Sequence, residues 1–278
     1  MDNFIPIKNL KFKDVITRAG AGILYILYIL LGVLGGKILF LIIFGLTLGV
    51  ALFEFYRMVE KDTSHAISKI FNIVMGVIIY ISVALYIEGI TAIALPASVL
   101  LYLLILIFSS TFIKRKDILH GIIYSVFGQM YITMALSLLM ILTDSAFPVI
   151  ALFVYIWVND TAAYFFGSLI GKHKLHERIS PKKSIEGFVA GILFTVLASF
   201  IFAYFFPQFS LPFWIGLSLI VSLFGTLGDL FESLIKRTCD VKDAGNIIPG
   251  HGGILDRIDS LLVAVPAVFM YLLFFQII

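Results

Sequence analysis

Nine apolar runs constrain this chain more than any other feature. They fall at about 20–36, 38–56, 70–87, 90–112, 119–142, 146–167, 187–206, 211–233 and 259–277. Each is long enough to cross the hydrocarbon core of a bilayer as a helix. No water reaches backbone N–H and C=O groups there, so a spanning segment closes its hydrogen bonds within itself. Hydrophobic residues make up 61% of the 278 and charged residues only 13%, a balance far from that of soluble domains. The expected fold is all-α: a polytopic integral membrane protein with about nine transmembrane helices. The narrowest divisions are tight turns near Gly35–Lys37 and Glu88–Gly89, with further short connections at Thr143–Ser145 and Pro207–Pro212.

Basic residues set the orientation. With the N-terminus in the cytoplasm, the inside segments carry Lys8, Lys11, Lys13 and Arg18, then Arg57, Lys61 and Lys69, then Lys114, Arg115 and Lys116. Lys172, Lys174, Arg178, Lys182 and Lys183 follow, and Lys236, Arg237, Lys242 and Arg257 complete the set. Of the 20 Lys+Arg only Lys37 lies outside, which is the charge bias of a cytoplasmic face. Nine spans then put the C-terminus on the opposite side, in what reads as a bacterial-type cell (inner) membrane. The formal net charge of +3 faces anionic membrane lipids and does not point to nucleic acid. The single cysteine, Cys239, allows neither an intramolecular disulfide nor a thiolate zinc cage. The first apolar run feeds directly into the next, so it reads as an uncleaved span and not as a signal peptide.

The two long polar loops, about 168–186 and 236–258, both fall inside. The chain therefore divides into N-terminal membrane helices over 1–145, spans one to five, and a C-terminal catalytic membrane region over 146–278. Few polar landmarks break the first five spans. Glu54 and Arg57, at i and i+3, read as a solvated pair at the mouth of the second. Pairs of small residues at Gly32/Gly36, Gly45/Gly49, Gly167/Gly171 and Gly187/Gly191 are candidates for close helix contacts within lipid.

The chemistry concentrates between Ser233 and Asp259, where cations, carboxylates and glycines share one loop. Such a set suits a phosphate held together with a metal ion. Asp229, Ser233 and Lys236 stand at i, i+4 and i+7 on one helix face. A carboxylate at that depth is costly unless paired or bound to a metal, so Asp229 is a candidate oxygen ligand for Mg²⁺. Ser233 and Lys236 can then donate to phosphate; a structural bridge from Asp229 to Lys236 or Arg237 is the plainer reading. Asp256 and Asp259 flank Arg257 and share a face if helical. Asp256 is placed to complete a metal cradle with Asp229, whereas Asp259 reads equally as a ligand or as a helix N-terminal acid. The glycines of Pro249–Gly250–His251–Gly252–Gly253 let backbone amides close around a phosphate, bracketed by Lys242–Asp243 and Asp256–Arg257. His251 is a candidate donor to a phosphate oxygen or proton source for leaving pyrophosphate, and equally a structural hydrogen-bonding group.

A second constellation lies upstream. Asp160 sits inside the sixth span beside Asn159, and is not expected to face lipid. The loop after it holds Ser180–Pro181–Lys182–Lys183–Ser184 and Glu186–Gly187. Ser180–Pro181 and Ser184 look like helix starts, while Lys182 and Lys183 are placed to grip a triphosphate; a solvated basic loop is the bland alternative. No Walker-type phosphate loop, nucleophile elbow or paired-histidine zinc motif occurs. Phosphate chemistry here needs a site built between membrane helices.

These residues resemble the CDP-diglyceride synthetase, or phosphatidate cytidylyltransferase, family. The family's C-terminal signature is filled by Ser233, Lys236, Arg237, Lys242, Asp243, Gly245, Pro249, His251, Gly252, Gly253, Asp256, Arg257 and Asp259. Upstream, Asp160–Thr161, Tyr164, Gly167 and Pro181–Lys182–Lys183–Ser184 with Glu186–Gly187 are similar as well. The resemblance implies a nucleotidyltransferase that joins CTP and phosphatidate into CDP-diacylglycerol and pyrophosphate, within phospholipid biosynthesis. It also implies metal binding at Asp229 and Asp256, with Asp259 and Asp243 as further candidates. Catalytic roles then fall to Asp229, Ser233, Lys236, Asp256 and His251. Substrate binding falls to Lys182, Lys183, Ser184, Arg237, Lys242, Gly252, Gly253, Arg257 and Asp160. Mg²⁺ is the expected cofactor; a second cation and a homodimer stay open. A CTP-dependent polyprenol or phytol kinase and an ion-coupled transporter are the alternatives. The kinase moves only the γ-phosphate of CTP, and the transporter is expected to show two repeats with broken helices.

Overall fold

The computed structural model describes residues 12–60, 68–112, 118–144, 146–247 and 252–278. Pro249, Gly250 and His251, the basic residues Lys8, Lys11 and Lys61, and the set Lys114, Arg115 and Lys116 lie outside the described residues.

The apolar runs become helices α1 (Phe12–Leu34), α2 (Lys37–Val59), α3 (Lys69–Ile87) and α4 (Ala94–Phe112). They continue as α5 (Ile118–Ile141), α6 (Ala146–Ile170), α7 (Ile185–Phe205), α8 (Leu211–Thr238) and α9 (Leu255–Phe274). Eight of these, α2 to α9, are long and apolar enough to cross a membrane. In α1 the stretch Gly22–Leu34 is apolar. The chain is thus a polytopic, all-α, multi-pass membrane protein.

Helix ends follow local chemistry. Ser68, Ser184 and Ser210 each accept a bond from the backbone N–H three residues on, at 3.3, 3.1 and 3.4 Å. Each thereby satisfies a donor that the helix itself leaves open. The α1–α2 turn is as tight as the sequence suggests, and Gly36 takes φ +87°, which a side chain disfavours. Lys37 there reaches Glu88 of the α3–α4 turn at 2.9 Å, so these two turns share one end of the bundle. Lys69 and Glu60 pair at 2.5 Å on the next connection along the chain, at the other end of α2 and α3.

The loop after α6 departs from expectation. It holds an antiparallel hairpin, β1 (Lys174–His176) with β2 (Ser180–Ser184). Ser184 is a helix cap, but Ser180–Pro181 open a strand instead of a helix. Glu186 ties the hairpin down, accepting from the N–H groups of Lys172 and His173 at 3.1 and 3.2 Å.

The small-residue pairs divide. A methyl group on Gly187 would stand 2.6 Å from the Ala163 carbonyl oxygen, and one on Gly191 2.6 Å from Asn159 Oδ1. These glycines let α6 and α7 touch. Gly36 and Gly49 face open space, whereas a methyl on Gly32 would meet Ile43 and Phe44 of α2 at 3.0 Å and one on Gly45 would meet Tyr80 of α3 at 3.4 Å, so in these pairs one glycine of the two marks a contact. An unanticipated close approach is Gly228, where a methyl would meet the Asp259 carbonyl oxygen at 2.5 Å; it seats α9 against α8.

The buried core draws on both halves of the chain, from Ile29 through Phe55 and Leu136 to Trp214 and Val265. Polar groups inside the N-terminal half are wired together. Asn72 donates to Ser125 Oγ at 3.1 Å and accepts from Tyr102 at 2.9 Å. Gln129, at the start of a π-helical segment in α5 (Gln129–Thr133), donates to the Asn72 carbonyl at 2.7 Å. Tyr56 donates to the Ser125 carbonyl at 2.8 Å. The π segment supplies an extra residue per turn, and Gln129 at its start meets α3 with its amide. Asn72→Ala should strip partners from Tyr102 and Ser125 and destabilise the protein by about 1–3 kcal/mol. Thermal unfolding in detergent checks this, with specific activity of the folded fraction expected to stay near wild type.

Candidate active site

The site lies where α6, α7, α8 and α9 converge with their loops. Asp229, on α8 one residue after Gly228, is gripped by Lys183 Nζ at 2.6 Å. Ser233 Oγ donates to its other oxygen at 3.4 Å. The shared face of Asp229, Ser233 and Lys236 is thus split. Lys236 turns away from Asp229 and forms ion pairs with Asp256 at 2.7 Å and with Glu232 on its own helix. The structural bridge from Asp229 to Lys236 or Arg237 gives way to one from Lys183. The hairpin explains why: Lys183 is the last strand residue but one, followed by the Ser184 cap of α7, so its origin is fixed.

Asp256 occupies the first turn of α9 and is surrounded by donors. Besides Lys236, Gly253 N–H donates to it at 2.8 Å and Ala244 N–H at 3.0 Å. The expectation that Gly253 offers its amide to a phosphate therefore meets a different anion, the chain's own Asp256. Gly252 takes φ +80°, and a methyl there would press on Asp256 Oδ2 at 2.7 Å. These glycines shape a seat for the carboxylate.

Asp259 stands beyond that first turn, so it is not the helix-start acid; Asp256 fills that position. Its Oδ1 accepts from Ser260 N–H at 2.7 Å. The Asp259 charge faces those of Asp229, Glu232 and Asp160. Asp160 on α6 in turn faces Asp229 and Lys183, and Asn159 donates to it at 3.4 Å. It is exposed at the surface of the chain, on the side shared with Asp229. Three helices thus bring Asp160, Asp229 and Asp259 close enough for their charges to repel, with Lys183 on the central member.

The remaining candidates form the periphery. Lys182, Lys242 and Asp243 are exposed. Arg237 is exposed and donates to the Val241 carbonyl at 3.4 Å, closing the end of α8. The backbone oxygen of the exposed Arg257 accepts from Tyr25 of α1 at 2.9 Å. Ser184 is buried and its hydroxyl is committed to Gly187 N–H. His251 lies outside the described residues.

Two acids were misjudged or missed. Glu232 is 1% exposed and holds Lys236. Glu54 is no solvated partner of Arg57: it is 1% exposed, and its Oε2 accepts from Leu255 N–H at 2.8 Å. Arg57 alone is exposed. The signal for both was present, since an acid inside an apolar run implies a partner.

Among the described residues no group of three or more His, Cys, Asp or Glu side chains is arranged to hold a metal ion. Magnesium, however, is usually held by one or two carboxylates completed by water and phosphate oxygens. Asp160, Asp229 and Asp259 fit that chemistry: hard oxygen donors in mutual repulsion, countered by one lysine. Asp256 fits it poorly, because Lys236 and two amides already surround it.

The family model of the cytidylyltransferase family matches residues 16–275. A protein named phosphatidate cytidylyltransferase from Staphylococcus aureus (strain COL) is 51% identical over 116 residues, 41% of this chain and 44% of that one. Its namesake from Staphylococcus haemolyticus (strain JCSC1435) is 42% identical over 158 residues, 56% and 58% of the two chains. The matches thus span about half the length of these relatives.

Lys236→Met should leave Glu232 and Asp256 without their cation and lower the yield of folded protein, since breaking such a buried pair costs about 3–5 kcal/mol. Adding Glu232→Leu should restore yield in part but not activity. Yield after detergent extraction, set beside specific activity, checks both outcomes.

Proposed function

Because the chain belongs to the cytidylyltransferase family, we propose that it is a phosphatidate cytidylyltransferase, forming CDP-diacylglycerol and pyrophosphate from CTP and phosphatidate. The observation that carries this reading is the convergence of Asp160, Asp229 and Asp259 with Lys183 at the loop-bearing end of a membrane bundle. A water-soluble nucleotide and a bilayer-held phosphate can meet there. The name borne by the staphylococcal relatives supports it.

In the reaction, a phosphate oxygen of phosphatidate attacks the α-phosphorus of CTP. The bond from that phosphorus to the α,β-bridging oxygen breaks, and pyrophosphate departs with its electron pair. Two anions must approach, so the protein's work is positioning and charge neutralisation. Lys183, hinged on the rigid start of α7, has the reach to pass from Asp229 to a phosphate oxygen. Lys182, Arg237, Lys242 and Arg257 are exposed cations available to draw in the triphosphate. Lys236 stays on Asp256 and Glu232 and holds the loop's shape. Mg²⁺ would be held by Asp229 with Asp259 and Asp160, where it would offset phosphate charge and stabilise the departing pyrophosphate. The acyl chains remain in lipid between the helices.

Purified protein with phosphatidate, Mg²⁺ and CTP labelled at the α-phosphorus should place the label in lipid as CDP-diacylglycerol. Label reaching lipid only from the γ-position would establish a lipid-alcohol kinase instead. Asp229→Asn should lower turnover by about 10²–10³, the cost of removing one preorganised electrostatic group, while the protein still folds. We also place the N-terminus in the cytoplasm and the C-terminus across the membrane, from the distribution of Lys and Arg. A reporter fused at Ile278 should read as external, and a cytoplasmic signal overturns the nine-span topology.

A further inference from the structure

We propose that Glu54, on the second helix and far from the signature in sequence, is a positioning residue that sets the geometry of the loop holding Asp256. The inference rests on the functional reading above for its kinetic arm and on geometry for the rest.

The carboxylate of Glu54 is enclosed by two segments of the connection between α8 and α9. One is Ala244–Gly245, within the loop, and the other is Gly253–Leu255, where the loop enters α9. A methyl group on Gly245 would collide with Glu54 Oε1, and one on Gly253 would stand 2.5 Å from both of its oxygens. Leu255 N–H, the first amide of α9, donates to Oε2 at 2.8 Å across 201 residues of sequence. Among the described residues Oε1 accepts no hydrogen bond. The carboxylate therefore fills the space between the two segments.

The same two segments hold Asp256. Ala244 N–H and Gly253 N–H donate to it, and they adjoin or belong to the very glycines that touch Glu54. Glu54 and Asp256 thus sit on either side of one pair of backbone segments. Removing Glu54 leaves a void beneath those segments and an unmet amide at Leu255, adjacent to Asp256. Tyr25 of α1 adds a second hold on this turn through the Arg257 carbonyl. Because Glu54 grips backbone, its effect on the reaction passes through the placement of Asp256 and Lys236.

Four variants test this: Glu54→Gln, Glu54→Ala, Gly253→Ala and the double Glu54→Ala/Gly253→Ala. Glu54→Gln keeps an acceptor for Leu255 and should retain activity within about tenfold of wild type. Glu54→Ala should lose about 100-fold in kcat, the scale of an ångström-sized misplacement, with KM for CTP changed less than about threefold. Gly253→Ala should be similarly impaired by its clash with the carboxylate. The double variant should be no worse than the poorer single, because removing the carboxylate makes room for the methyl group; such non-additivity marks direct coupling. Hydrogen exchange of the segment 252–258, followed by mass spectrometry, should quicken in Glu54→Ala and stay near wild type in Glu54→Gln.

A glutamine variant as inactive as the alanine variant would overturn the proposal, because charge itself would then be what matters. Multiplying losses in the double variant, or unchanged exchange at 252–258 in Glu54→Ala, would overturn it as well. Should Glu54→Ala fail to fold, the glutamine variant and Gly253→Ala decide it alone. The exchange measurement needs no substrate, so it stands even if the wild-type protein makes no CDP-diacylglycerol.

Discussion

The ion pairs of Lys236 with Glu232 and Asp256 are what the loop-bearing end of this molecule is built around. Glu232 and Lys236 belong to α8, while Asp256 opens α9, so a single ammonium group joins two helices across a loop of sixteen residues, 239–254. A buried ion pair adds little net stability over an apolar pair of equal volume. Its consequence here is geometric. With Glu232 fixed on the helix and almost wholly out of solvent, Lys236 has one direction in which to point. Asp256 must come to meet it, and the amides of Ala244 and Gly253 follow.

That arrangement separates two tasks that the sequence pattern presents as one. Asp256, Lys236 and Glu232 form a closed, mutually satisfied unit that shapes the loop. Asp160, Asp229 and Asp259 form an open one, in which acids from three helices face one another with a lysine from the hairpin between them. Excess negative charge beside a bilayer is costly, and the open unit is where an incoming cation or cationic complex gains most. The β-hairpin matters for this reason. A strand ending directly in a capped helix fixes the origin of Lys183, and leaves the length of its side chain to move between carboxylate and phosphate.

Much of the fold was legible because a bilayer leaves so few choices. An apolar run of sufficient length must be a helix, and the turns at Gly35–Lys37 and Glu88–Gly89 were readable from the breaks between runs. The two-stranded hairpin was not, since Ser180–Pro181 carries the chemistry of a helix start and only the tertiary anchor at Glu186 tells against it. The charged residues that come together here were legible by type and not as partnerships. Helical spacing put Asp229, Ser233 and Lys236 on one face, but a lysine side chain spans several ångströms and took the acid on the neighbouring helix. Glu54 escaped for another reason: a neighbouring arginine at i+3 supplied a sufficient local explanation, and its true partner is 201 residues away.

That distant partnership bears on why a chain whose proposed site draws on its last 130 or so residues carries five further helices. Among the described residues, two side chains from the first two helices reach the start of α9, and both bind backbone: Tyr25 at the Arg257 carbonyl and Glu54 at the Leu255 amide. These contacts bracket Asp256 without consuming its side chain. A backbone grip suits the purpose, because it fixes where a carboxylate originates while leaving its charge available to Lys236 and the loop amides. Of the helices that bear the grip, α2 is held by buried polar bonds among Tyr56, Asn72, Tyr102, Ser125 and Gln129, and α1 is tied to α2 where Tyr28 donates to the Ile43 carbonyl at 2.7 Å. Such bonds are directional where lipid-facing packing is not, so the N-terminal half can act as a rigid frame for a loop that would otherwise be tethered only at its ends.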